Sequence, residues 1–315
     1  MTDIEHPPDH IFSGDPASGG GAGMIADVPH TEEFIGEDEL VKKKLGWGFW
    51  VAILWLVAIV LLAIFAPYLF ENPNSAKASC CLPDLSPSTD HIFGTDRLGR
   101  DVFGRVMWGS RISLVVGFTA IAGGMVIGGT LGIMGGFLGG WFDRITSLLF
   151  LGLLSFPALV LALLILTSID RTLFWICVTL GILSIAPIGR LARAQTLTYG
   201  KREFVTAATA LGAWRGRIMF QEILPNVLPA MAALALLGMA IAIVAEGSLA
   251  FLGITDPNLS DSWGGIIFNG SELISMEDRP WVAFGAISVL FLTVLSLNFI
   301  GDRLREYFDA RELSL

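Results

Sequence analysis

Glu246 is the one acidic side chain well inside a long apolar run, so chemistry at membrane depth would have to begin there. A carboxylate in such a run is costly unless it faces protein or water, which marks Glu246 as a candidate pathway residue. The alternative is a packing residue paired to backbone or to an Arg. Bond-making chemistry finds little else. His6, His10, His30 and His91 all lie outside the apolar runs, and no His-Glu-x-x-His occurs. Gly200-Lys201 is followed by Arg202 without the glycine a phosphate-binding loop requires. Cys80 and Cys81 are adjacent, Cys177 is apolar in setting, and neither a disulfide framework nor a zinc spacing results. No catalytic residue, cofactor, metal or nucleic-acid partner is expected. Any driven transport would take its energy from another chain or from an ion gradient.

Two polar stretches carry more specific patterns. Gly94, Thr95, Asp96, Arg97, Gly99, Arg100 and Asp101 stand just before an apolar run. Their Asp and Arg side chains could form an ion-pair network capping the next helix, or could meet a partner protein. Residues 201–226 read KREFVTAATALGAWRGRIMFQEILPN. Phe204, Val205, Ala208 and Leu211 make one apolar face; Trp214, Ile218 and Met219 begin a second after Gly212. Two short helices hinged at that glycine would project as a compact plug. An amphipathic helix lying flat on lipid is the alternative.

The elements that position these residues follow from composition. Of 315 residues, 53% are hydrophobic and 16% charged, with mean hydropathy +0.67; a soluble domain carries about 25% charged residues. The net charge of −9 is local. Residues 1–40 hold ten acids and no Lys or Arg, leaving 19 acids against 20 bases elsewhere. A run of about 20 apolar residues crosses a bilayer, and six spans are predicted, at 47–66, 112–142, 145–169, 172–189, 223–252 and 281–301. The fold class is therefore all-α and polytopic. The apolar segment beginning near Trp47 lies too late and runs too long for a cleaved signal. Placing the N-terminus inside puts thirteen Lys and Arg on inner segments and seven on outer ones, so both termini are expected to be cytoplasmic. Cys80 and Cys81 then face outward. Gly124, Gly128, Gly132, Gly136 and Gly140 recur every four residues in the second span and predict close helix packing, with a flexible gating helix as alternative. Residues 255–280 read either as a partly helical outer cap or as a plain loop.

These boundaries divide the chain into a disordered acidic cytoplasmic tail (1–44), a first span with its outer segment (45–111), a five-helix core (112–305) with a cytoplasmic loop at 198–226, and a C-terminal tail (306–315).

Thr206-Ala207-Ala208, Gly212 and Leu224-Pro225 resemble the EAA loop by which permeases of ABC importers dock on their ATPases; Thr206 stands where that loop has Glu. The stretch from Phe93 to Asp101 with Arg105 and Gly109–Ser113, and Ala245–Gly253 around Glu246, resemble the dipeptide/oligopeptide/nickel permeases, in particular the second of their paired subunits. The resemblance covers roughly residues 45–305. It implies an ABC type I importer-like fold, transport of dipeptides or oligopeptides, and location in the inner or plasma membrane. It also implies a heterodimer with a sister permease, two ATPase subunits carrying the hydrolysis, and an extracytoplasmic solute-binding protein. On it, Phe204, Ala207, Ala208, Gly212, Leu224 and Pro225 become the ATPase-coupling loop. A branched side chain at Gly132, where the glycine period predicts helices to touch, is expected to impair assembly with the sister permease. An ion-coupled secondary transporter and a structural scaffold are the competing readings.

Overall fold

In a computed structural model of the chain, residues 46–70, 72, 73, 81–254 and 261–313 are described, without the side chains of 273–275 and 309–313. The acidic tail, Cys80 and residues 255–260 lie outside them. Most of the described residues are helical, and none of them forms a strand.

Five helical stretches are long and apolar enough to cross a membrane. They are α1 (Trp47–Leu69), α2 (Val102–Leu138), α5 (Leu173–Tyr199), the stretch Arg215–Phe251 ending in α8 (Leu224–Phe251), and most of α11 (Pro280–Leu313). The sixth predicted span is broken. α3 (Gly140–Leu154) and α4 (Ala158–Ser168) are bent by 86°, and at about 1.5 Å per residue neither covers a hydrocarbon core of about 30 Å alone. The cause is Pro157, which lacks an N–H and pushes residue 156 out of helical geometry; Ser155 closes α3 by donating its hydroxyl to Gly152 O at 2.7 Å. The pair nonetheless acts as one crossing, because α2 and α5 lie parallel. Gly124 faces Ser184, Gly128 faces Ile185, Gly132 faces Gly189 and Gly136 faces Arg193 and Thr196, both chains ascending together. Only a return between them permits that.

This seam also corrects two expectations. The stripe's face is filled by α5 of its own chain rather than by a sister subunit. Gly140 does not belong to it: with Gly139 it forms the α2–α3 turn, at φ +62° and +65°, with open space around both. Next to the turn, Asp143 on α3 and Arg193 on α5 pair through both guanidinium and carboxylate edges, one contact being Arg193 Nη2 to Asp143 Oδ2 at 2.7 Å.

Other boundaries differ from the predicted ones. α2 starts ten residues before the expected position, because Arg105 and Arg111 interrupt the apolar run while Arg105 is in fact buried. α11 continues through the expected C-terminal tail as far as Leu313. The segment after 260 is a helical cap of α9 (Trp263–Gly270) and α10 (Leu273–Asp278). Val102, Val106, Trp263, Ile266, Val282 and Ala286 form one apolar core joining α2, α9 and α11.

Candidate functional site

At the end where α2 and α5 finish, α5 turns through Gly200 into α6 (Glu203–Ala210). Gly212 stops α6. Its φ is +81°, its N–H reaches Thr209 O at 3.0 Å, and Ala213 N–H reaches Ala208 O at 3.1 Å. These are the two bonds of a Schellman motif, in which glycine takes the left-handed position without a Cβ penalty. A single turn, α7 (Arg215–Arg217), follows, then a π-helical segment Ile218–Ile223 that runs straight into α8. Leu224 N–H bonds Met219 O, five residues back, and Pro225, without an N–H, stands in the first turn of α8. The second short helix foreseen after Gly212 is thus the root of a span, not a separate plug.

The apolar face proposed for α6 is divided. Val205 is buried and shares a core with Tyr199, Ile218 and Ile223, and Ala208 and Leu224 pack against it. Phe204 and Ala207 point outward, beside Leu211 at 88% and Trp214 at 70% exposure. Trp214 lies across Gly216, where a Cβ would meet its ring at 1.9 Å. The result is a fixed helix presenting an apolar surface that none of the described residues covers. Lys201, Arg202, Arg215 and Arg217 are exposed around it.

The opposite end carries the Gly94–Asp101 motif. Gly94 and Gly99 are at φ +65° and +67°, and a Cβ on either would strike backbone, Leu85 O at 2.5 Å and Cys81 O at 2.2 Å. Buried Thr95 donates to Leu82 O and accepts from Leu85 N–H, both at 2.8 Å. Asp101 caps α2 by accepting from Gly104 N–H at 2.7 Å. The Asp96 carboxylate accepts from Leu98 N–H, Arg100 N–H, Arg100 Nε and Arg105 Nη1, at 2.8–2.9 Å. Arg105 then spends Nε and Nη2 on Asp261 Oδ1, at 3.0 and 2.7 Å. Arg97 pairs with Glu272, and both are more than half exposed, so that pair contributes little. The motif is therefore a buried ionic joint between the start of α2 and the start of α9. Asp261 was not singled out from sequence; 156 residues separate it from Arg105, and no local pattern marks it.

Glu246 is enclosed between α2, α8 and α9. Ser113 Oγ donates to Glu246 Oε2 at 3.2 Å, Ser262 turns its hydroxyl to the same carboxylate, and Trp263 N–H reaches Ser113 Oγ at 3.3 Å. All four residues are buried. Among the described residues no three His, Cys, Asp or Glu side chains gather closely enough to hold a metal.

Parallel spans packed on glycine, a helical cap tied by buried ions, and an outward apolar helix at the far end together describe a multi-pass membrane protein. The chain belongs to the family of binding-protein-dependent transport system inner membrane components, whose pattern matches residues 124–313. It is 36% identical to the dipeptide transport system permease protein DppC of Alkalihalophilus pseudofirmus, over 87% of this chain and 88% of that protein. It is 30% identical to the oligopeptide transport system permease protein OppC of Bacillus subtilis, over 98% of this chain and 99% of that one. It is 32% identical to the glutathione transport system permease protein GsiD of Pectobacterium atrosepticum, over 82% of this chain and 85% of that protein. The chain is an ABC permease subunit of the inner membrane, and these relatives lend the ion-coupled alternative no support.

Proposed function

We propose that the chain is the second type of permease subunit in an ABC importer of dipeptides or oligopeptides. It forms the solute pathway with a sister permease, docks one of the complex's two ATPase subunits through 203–217, and receives solute from a binding protein at the end capped by α9 and α10. Both termini then lie in the cytoplasm. The peptide substrate class is supported by what relatives of the chain are named for, dipeptide and oligopeptide transport. The observation that carries the docking is α6: locked at Gly212 and seated through Val205, it holds Phe204, Ala207, Leu211 and Trp214 outward, where none of the described residues covers them. ATP binding and hydrolysis bias the pathway through this contact, since a ligand shifts a conformational equilibrium only by its differential affinity for the two states.

Gly212 separates turn geometry from side-chain contact, because a Cβ there meets nothing within 4 Å. Gly212→Val should cost roughly 1–2 kcal/mol of local backbone strain, β-branched residues fitting the left-handed region badly. Gly212→Asn, which tolerates that region, should behave nearly as wild type. Ala207→Asp should leave the turn intact and place a charge in the docking face. The measurement is co-purification of the ATPases together with solute uptake, at matched permease abundance. Val and Asp variants are expected to lose ATPases and uptake while remaining in the membrane. Stoichiometric ATPases and normal uptake in both would remove the loop from the mechanism.

A further inference from the structure

Residues 261–263 fasten α9 to the spans by consecutive groups. Asp261 takes two donors from Arg105. Ser262 faces Glu246 and caps α9 by accepting from Gly265 N–H at 3.2 Å. Trp263 donates Nε1 to Val106 O at 3.0 Å and its backbone N–H to Ser113 Oγ at 3.3 Å, and Ser113 donates onward to Glu246. Two glycines allow this approach. A Cβ on Gly109 would lie 1.9 Å from Asp261 O, and one on Gly264 would lie 2.4 Å from Gly247 Cα. Sliding α9 along α2 would therefore strand several buried polar groups at once.

α2 is in turn interlocked with α5 along the glycine seam, and α5 leads directly into α6, whose Val205 shares a core with Tyr199. Pro187 lies inside α5, but the seam holds α5 on both sides of it, at Ile185 and at Gly189, and only the short turn Gly200–Arg202 separates α5 from α6. The other route, through α3 and α4, contains the Gly139-Gly140 turn and the break at Pro157. We infer that Glu246 is a positioning residue of transport. Through Ser113, Ser262 and the start of α9 it makes α9, α2 and α5 one rigid body, which carries the docking state at the capped end to α6 along about 55 Å of helix. Glu246 acts through these neighbours and does not itself contact solute. The inference rests on the reading above for what binds at each end.

The test uses the full complex, with both permeases, the ATPases and the binding protein, in nanodiscs. ATP hydrolysis is measured with and without binding protein loaded with a dipeptide. Glu246→Ala should keep its ATPases and its basal hydrolysis but lose about tenfold in stimulation, a coupling loss of ordinary size. Glu246→Gln still accepts from Ser113 and should stay within about twofold of wild type, rescue that loss of the charge alone would not give. Glu246→Met fills the space with apolar atoms and leaves Ser113 Oγ to accept from Trp263 N–H; it should accumulate even if Glu246→Ala does not, and should show the same loss of stimulation. Full stimulation in either folded variant lacking the tie overturns the inference. So does a Gln variant as impaired as Ala, or failure of the Met variant to accumulate, which would leave the tie a folding requirement only. Absence of stimulation in the wild-type complex would instead bring down the importer reading itself.

Discussion

Gly132→Leu is expected to remove the folded chain from the membrane. A Cβ at this position falls 2.2 Å from Gly189 O, 2.9 Å from Ala192 Cβ and 3.0 Å from Arg193 N. Two of those atoms are backbone, so no rotamer change relieves the contact, and α2 and α5 must separate. The adjacent rungs are as tight: Gly128 would meet Ile185 O at 2.3 Å and Gly124 would meet Ser184 Cβ at 2.6 Å. Separation at one rung therefore loosens its neighbours. In lipid, packing at close range is much of what holds helices together, since the surroundings are as apolar as the side chains. Overpacking a well-filled interior costs about 1–3 kcal/mol when side chains can shift; a backbone clash belongs at or above the upper end. Against a total stability of about 5–15 kcal/mol, that is enough to deplete the native state. Gly123→Ala is the control, because its nearest neighbour is Gly181 Cα at 4.0 Å. Membrane abundance and thermal unfolding in detergent should separate the two. Wild-type values for Gly132→Leu would show that the seam is not closed.

Arg105→Met should be comparably damaging for an electrostatic reason. Arg105 is 3% exposed and bridges Asp96 to Asp261, itself 2% exposed. Removing the guanidinium leaves Asp261 buried without its partner, a situation that costs about 3–5 kcal/mol. Asp96 suffers less, because Arg100 and two backbone N–H groups still reach it. The asymmetry has a consequence in the double variant. Arg105→Met with Asp261→Leu removes both members of the buried pair and should recover most of the loss, since apolar replacement of a whole buried pair is often neutral. Thermal unfolding of both variants in detergent measures this. A double variant no more stable than the single would mean that Asp261 is not the group left stranded.

The spans were legible in the sequence because a bilayer imposes length and apolarity, and the glycine period announced a close contact. Its partner was not legible: nothing in Gly124, Gly128, Gly132 and Gly136 says which helix lies opposite. The break in the third crossing was missed because one Pro in an otherwise unbroken apolar run looks like any tolerated membrane proline. The early start of α2 was hidden by Arg105, whose charge reads as exposed until Asp96 and Asp261 are seen around it. In the 203–217 loop, the glycine that ends α6 was foreseen from its position between two apolar patterns. The division of that face was not. Periodicity groups Phe204 with Val205 and Ala208, and only the core around Tyr199, Ile218 and Ile223 decides that Val205 goes in and Phe204 stays out.

The central claim is that this chain passes solute under the control of ATPases docked at α6. Proteoliposomes carrying this chain, its sister permease and the ATPases, with ATP inside and binding protein outside, test it most directly by accumulation of a labelled dipeptide. Accumulation should require both ATP and binding protein, survive collapse of ion gradients, and disappear with Gly212→Val. Accumulation that proceeds without ATP and follows an imposed ion gradient would contradict the account.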